Sequence, residues 1–97
     1  MKDSSQKIFE FAGDANFEQF EADIKLRLAV ERLFEILGEA ANRIPKDIQQ
    51  KYPSIPWSNI IGLRNIIIHS YHKVNPKRLF AVIKEDLGIL TEELNKI

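Results

Sequence analysis

Leu26, Val30, Leu33, Leu37, Ala40 and Ile44 recur at alternating steps of four and three, a spacing that only a helix turns to one side. Ile24, Leu28, Phe34 and Ile36 widen this seam, so the helix is expected to be buried on more than one side. Its start is marked by Asn16, an N-cap residue followed three positions later by Gln19 in the manner of a capping box, and the pattern runs to about Arg43. Gly38 interrupts it at a cost of about 1 kcal/mol against alanine. The expected use of that glycine is close approach by a neighbouring helix.

The flanking segments repeat the helical grammar. Ser4 to Ala12 forms a short helix with Ile8, Phe9 and Phe11 apolar, ended by Gly13 and Asp14. Pro45 halts the long helix, and Lys46 to Tyr52 allows at most a two-turn helix before Pro53. In Ser54-Ile55-Pro56-Trp57, proline suits a first helical turn and Trp57 is an expected anchor into the core. A third main helix runs from there through Tyr71. Asn75-Pro76 then opens a last helix, in which Phe80, Ile83, Leu87, Leu90, Leu94 and Ile97 step by three and four. No strand-period segment, internal repeat or Gly-rich loop is found. The expected fold is all-α, an up-and-down bundle of four to five helices, with residues 1–97 forming a single domain. A core of this size is marginal, and self-association would support it.

Composition narrows the function. Without cysteine, disulfides and thiolate chemistry are excluded. The N-terminus is not followed by an apolar signal region and no apolar run is long enough to span a bilayer, so a soluble, cytoplasmic protein without a membrane partner is expected. Lys and Arg number 14, as do Asp and Glu, yet that balance hides an uneven distribution. No acidic residue lies between Asp47 and Glu85, whereas Lys51, Arg64, Lys73, Lys77, Arg78 and Lys84 do. Such a segment attracts polyanions, phosphate above all.

Within it, Arg64-Asn65-Ile66-Ile67-Ile68-His69-Ser70-Tyr71 places a fixed cation, an amide, an imidazole and a phenol in one otherwise apolar stretch. Arg64 suits phosphate binding, or equally helix-terminal carbonyls or a pair with Glu35 or Glu39, which themselves either reach Arg64 and hold its fork in place or face solvent. His69 suits proton transfer, or a place in the core among isoleucines. Asn65 is an orienting hydrogen-bond donor or a solvated amide. Lys73, Lys77 and Arg78 are contacts to a phosphate backbone or a solvated face. His69 and His72 stand three apart, but no cysteine or nearby carboxylate completes a metal site, so no metal and no cofactor are expected. Gly62 would admit another backbone, or a polyanionic ligand, at close range.

Taken together, Arg64-x4-His69-x-Tyr71, Ile55-Pro56-Trp57 before it, and Leu33-Phe34-Glu35-Ile36-Leu37-Gly38-Glu39-Ala40 on the long helix resemble the HepT family of HEPN-domain toxins. The likeness extends from about Phe17 to Leu94. It implies a HEPN-like fold and a metal-independent endoribonuclease toxin of a type VII-like toxin–antitoxin pair, acting on tRNA or mRNA. It implies a homodimer in which Arg64 and His69 of both subunits meet in a cleft, supported by Asn65 and Tyr71. The implied partner is a minimal nucleotidyltransferase antitoxin that silences the nuclease by transferring AMP to Tyr71. The first helix is shorter than is usual in that family, and His72 and Asn75 depart from its pattern after the tyrosine.

The residues suit that chemistry. Metal-free RNA cleavage needs a base for the 2′-hydroxyl, a cation for the charge building on phosphorus and an acid for the leaving oxygen. His69 and Arg64 supply two of these, and a second His69 from a partner subunit would supply the third. On a straight helix Arg64 and Tyr71 lie within roughly 20° of each other, whereas His69 is about 140° from Arg64. Either the helix distorts near His69 or the residues bracket a wide groove shared between subunits, and the shared groove is favoured. The rival expectation is a non-catalytic helical module that binds a nucleotidyltransferase and turns nothing over.

Overall fold

The computed structural model describes residues 1–69 and 74–96, and every regular element among them is helical. The chain runs through α1 (Lys2–Ala12), α2 (Phe17–Ala22), α3 (Ile24–Arg43), α4 (Lys46–Lys51) and α5 (Trp57–His69). It ends in one continuous helical run made of α6 (Pro76–Ala81), a π-helical turn (Val82–Asp86) and α7 (Leu87–Asn95). The expected all-α, HEPN-like bundle is what forms.

Two departures from the expected elements have local causes. The long helix from Asn16 does not run unbroken to Arg43. Asp23 takes an extended backbone (φ −96°, ψ 94°) and its carboxylate accepts from the Leu26 N–H at 3.0 Å, so it ends α2 and caps α3 at once. Upstream, the Asn16–Gln19 capping box is present in both directions. The last helix widens into a π turn, a feature that inserts a residue without breaking the rod. Asp86, which ends the turn, accepts from the Asn59 amide of α5 at 3.2 Å. Smaller differences are that α1 begins at Lys2 rather than Ser4, and that Pro56 immediately precedes α5.

The core is shared by all the long helices. Ile8 of α1, Phe20 of α2, Val30, Phe34, Leu37 and Ala41 of α3, and Ile60 and Leu63 of α5 are buried with Leu79, Ile83, Leu87, Leu90 and Leu94 of the last run. Helix α3 packs chiefly along α5, α1 lies across α3 and α7, and α2 bridges α3 and α6. Phe80 joins α6 to α2 through an edge contact with Phe17 and a tilted one with Phe20, centroids 5.5 and 5.7 Å apart. Trp57 is half-buried rather than sunk. Its ring packs on the core while its indole N–H donates to the Gln49 and Tyr52 carbonyls, both at 3.1 Å, and so ties the end of α4 to the start of α5. The widened seam of α3 is only partly covered, because Ile24, Leu28 and Ile36 stay exposed. Among the described residues no helix is long and apolar enough to cross a membrane.

Candidate active site

The site is set by how α5 crosses α3. Ile60 and Leu63 give α5 its buried face, and Arg64, next in sequence, comes up against α3 at Gly38. A Cβ on Gly38 would lie 2.2 Å from the Arg64 Cβ and 2.7 Å from its Cγ. No real side chain tolerates that, so the glycine is what lets the arginine stem pass between the helices. The close approach expected at Gly38 is real, and the approaching group is the candidate catalytic arginine itself.

Beyond the glycine the guanidinium is fixed at both ends. Nη2 donates to Oε1 of Glu39 in a short charge-assisted bond, and Nη1 donates to Oδ1 of Asn65 at 2.8 Å. Glu39 also stands 3.6 Å from Arg43, whereas Glu35 turns away to Arg32 at 3.2 Å. Of the two glutamates that could have met Arg64, the structure selects Glu39. The hydrogen bond from Arg64, and then its charge, hold the Glu39 carboxyl below the ordinary glutamate value, with Arg43 and Arg32 acting the same way. The Arg64 side chain is 18 % exposed and that of Glu39 43 %. The pair therefore sits at the rim of the interior, where a cation retains strength toward a phosphate. Arg64 Nε is buried and has no hydrogen-bond partner among the described residues.

The other candidates distribute as follows. Asn65 is exposed and accepts from Arg64, so it orients the fork as an acceptor rather than as the expected donor. His69 ends α5 on the exposed side. At helical spacing it shares that side with Ser58, Gly62 and Asn65, and a Cβ on Gly62 would meet nothing within 4 Å. Lys77 and Arg78 are exposed on the first turn of α6, which Asn75 caps by accepting from the Lys77 N–H at 3.0 Å. Arg78 lines a groove of about 190 Å³ with Asn59, Glu85 and Asp86, so acidic groups flank it. Tyr71 and Lys73 lie outside the described residues. No group of three or more His, Cys, Asp or Glu able to hold a metal gathers among the described residues.

Beside the Arg64–Glu39 pair, the outer surface of α3 carries a groove of about 400 Å³ lined by Arg32, Glu35, Ile36, Glu39, Ala40 and Arg43. Sequence spacing did not reveal it, since it depends on Ile36 facing outward from a seam that read as buried.

The all-α bundle is consistent with the HEPN-like domain that the sequence resemblance implied, with Arg64 at a helix–helix seam and His69 at the exposed end of the same helix. Comparison with known proteins gives the family: residues 1–97 match the profile of the Ribonuclease HepT-like family. The chain is 36% identical over 92 residues to a candidate RNase of Methanocaldococcus jannaschii, covering 95% of this chain and 84% of that one. To the probable ribonuclease HepT of Thermococcus cleftensis it is 38% identical over 90 residues, covering 93% and 82%. A candidate RNase of Caldanaerobacter subterraneus is 34% identical over 90 residues, covering 93% and 80%. The chain belongs to the HepT-like ribonuclease family. No solved structure matches it at a significant level.

Proposed function

We propose that this protein is a metal-independent endoribonuclease toxin, acting as a homodimer of single HEPN-like domains on tRNA or mRNA in the cytoplasm. Arg64 binds the scissile phosphate and stabilises the charge that builds on it. His69 of one subunit takes the 2′-hydroxyl proton, and His69 of the other protonates the leaving oxygen. Asn65 supports the arginine fork, while Lys73, Lys77 and Arg78 contact the RNA backbone. A minimal nucleotidyltransferase antitoxin silences the enzyme by attaching AMP to Tyr71.

The observation that carries this reading is the seating of Arg64. Arg64 does pair with Glu39, as the alternative reading allowed. Among the described residues, however, that pair and Asn65 take one N–H from each terminal nitrogen and leave a second on each for an oxyanion, and the family to which the chain belongs is one of ribonucleases. The separation of Arg64 and His69 around α5 supports a cleft completed by a second subunit. The face carrying Arg64 and Tyr71 is proposed as the dimer surface, and the α3 groove with exposed Ile36 adjoins Arg64 there.

The test is incubation with total tRNA and with mRNA in EDTA, beside His69→Ala and Arg64→Ala. The parent gives fragments ending in cyclic phosphate or 3′-phosphate, and each variant gives none while keeping its helical spectrum. A variant that cleaves like the parent removes that residue's role. No cleavage by folded parent protein free of AMP would favour the non-catalytic module instead.

A further inference from the structure

The surroundings of Arg64 contain a group whose purpose is not explained by charge pairing alone. Glu39 is substantially exposed, and an exposed ion pair contributes little to stability. A carboxylate at that position also weakens the attraction of Arg64 for a phosphate. What the contact does supply is geometry. The stem of Arg64 is held by the gap at Gly38, but a stem so held still leaves the fork free to rotate at its end. Glu39 and Asn65 remove that freedom by engaging opposite nitrogens. Each terminal nitrogen of an arginine carries two N–H groups in one plane. Clamping one on each side fixes where that plane points. Glu39 is itself steadied on α3 by Arg43, one turn on.

We infer that Glu39 is a positioning residue for RNA cleavage, fixing the plane of the Arg64 guanidinium over Gly38 so that it meets the phosphate as charge develops. The inference rests on the reading of Arg64 as the phosphate-binding group. It assigns Glu39 a signature that a mere stabilising contact lacks. Loss of a carboxylate beside the substrate anion lets RNA bind at least as well in the ground state, while loss of orientation is felt in the transition state. The rate constant and KM should therefore move apart.

Glu39→Ala is expected to lower kcat by about 10- to 100-fold, the range typical of groups that orient a reactive residue, with KM unchanged or lower. Glu39→Gln, which keeps the shape and one acceptor, should fall between Glu39→Ala and the parent. Glu10→Gln, on the exposed surface of α1 and away from the groove, should match the parent and so controls for the loss of one carboxylate. Side-chain NMR of the same proteins, with the Arg64 signal assigned by its absence in Arg64→Lys, should show a guanidinium held rigid in the parent and rotating freely in Glu39→Ala. If the parent cleaves and Glu39→Ala keeps the parental kcat, or if its Arg64 signal stays rigid, the positioning role is overturned while the ribonuclease reading stands. A parent that cuts no RNA defeats both.

Discussion

Arg64 and Glu39 illustrate how much residue spacing can convey about a site. Both were legible as candidates, and so was the need for a close contact at Gly38, because a glycine within a strong helical seam demands a steric reason. A pair between Arg64 and one of the two glutamates was among the open outcomes. That Glu39 rather than Glu35 makes it, and that Gly38 is the gap the arginine stem uses, was not legible, since helical periodicity fixes the side from which a residue leaves α3 or α5 but not which residues the crossing brings opposite. The pair also sets a pH dependence. The folded-state pKa of Glu39 is lowered from 4.5, so its pairing contributes stability that is fully present above that value and is lost as pH falls through the lowered one. Unfolding followed by circular dichroism from neutral pH into the range below 4.5 should show a steeper acid loss for the parent than for Glu39→Gln, with the two curves parallel above it. The contribution is small because the carboxylate is exposed. Tyr71 gives a second residue-level expectation under the proposed function: Tyr71→Phe should accept no AMP from the proposed nucleotidyltransferase partner, so that whatever nuclease activity the variant has should not fall when that partner and ATP are added. Modification of the variant at an equal rate would move the acceptor elsewhere.

At the scale of elements, the apolar stripes reported the helices well and their interruptions poorly. Val30 and Leu37 of the α3 seam are buried, and so are Ile83, Leu87, Leu90 and Leu94 of the last run. Asp23 was missed because the helical pattern continues across it; an aspartate inside a helix and one capping a helix look alike until the downstream N–H groups are placed. The π turn at Val82–Asp86 was missed because both sides of it keep apolar residues at helical spacing. Asp23→Ala should lower stability by about 1 kcal/mol, the usual worth of a side-chain N-cap. Denaturant unfolding would read this as a lower midpoint with an unchanged slope. Gly38→Ala is a harsher change: a methyl group 2.2 Å from the Arg64 Cβ forces α3 and α5 apart, at about 1–3 kcal/mol by analogy with overpacked cores. If the midpoint of Gly38→Ala equals that of the parent, the helices are not in the contact described. Arg64→Gly in the Gly38→Ala background should recover part of the loss, since it removes the atoms the methyl group strikes.

The molecule as a whole is a slab of 39 × 28 × 18 Å, and its thin dimension is hardly two helix diameters of about 10 Å. In so thin a body a helix cannot be covered on all sides, which is why α3 read as more deeply buried than it is. Ile24 is 61 % exposed, Leu28 60 % and Ile36 40 %, so the width of the seam points to a covering surface that the described residues do not supply. Dimerisation through the face carrying Arg64 would supply it at Ile36, and would bring the second His69 that the proposed chemistry requires. A substitution there separates folding from assembly. Ile36→Glu replaces an exposed side chain and should shift monomer stability by no more than about 0.5 kcal/mol. In a dimer that buries Ile36 it would place a carboxylate beside Glu35 and Glu39 with water excluded, a costly arrangement. Sedimentation at micromolar concentration should therefore give a dimer for the parent and a monomer for Ile36→Glu, both with the same helical content, and cleavage should disappear with the dimer. If the parent sediments as a monomer and still cleaves, each active site is complete within one chain, and Arg64 and His69 then have to meet across the 140° or so that separates them on α5.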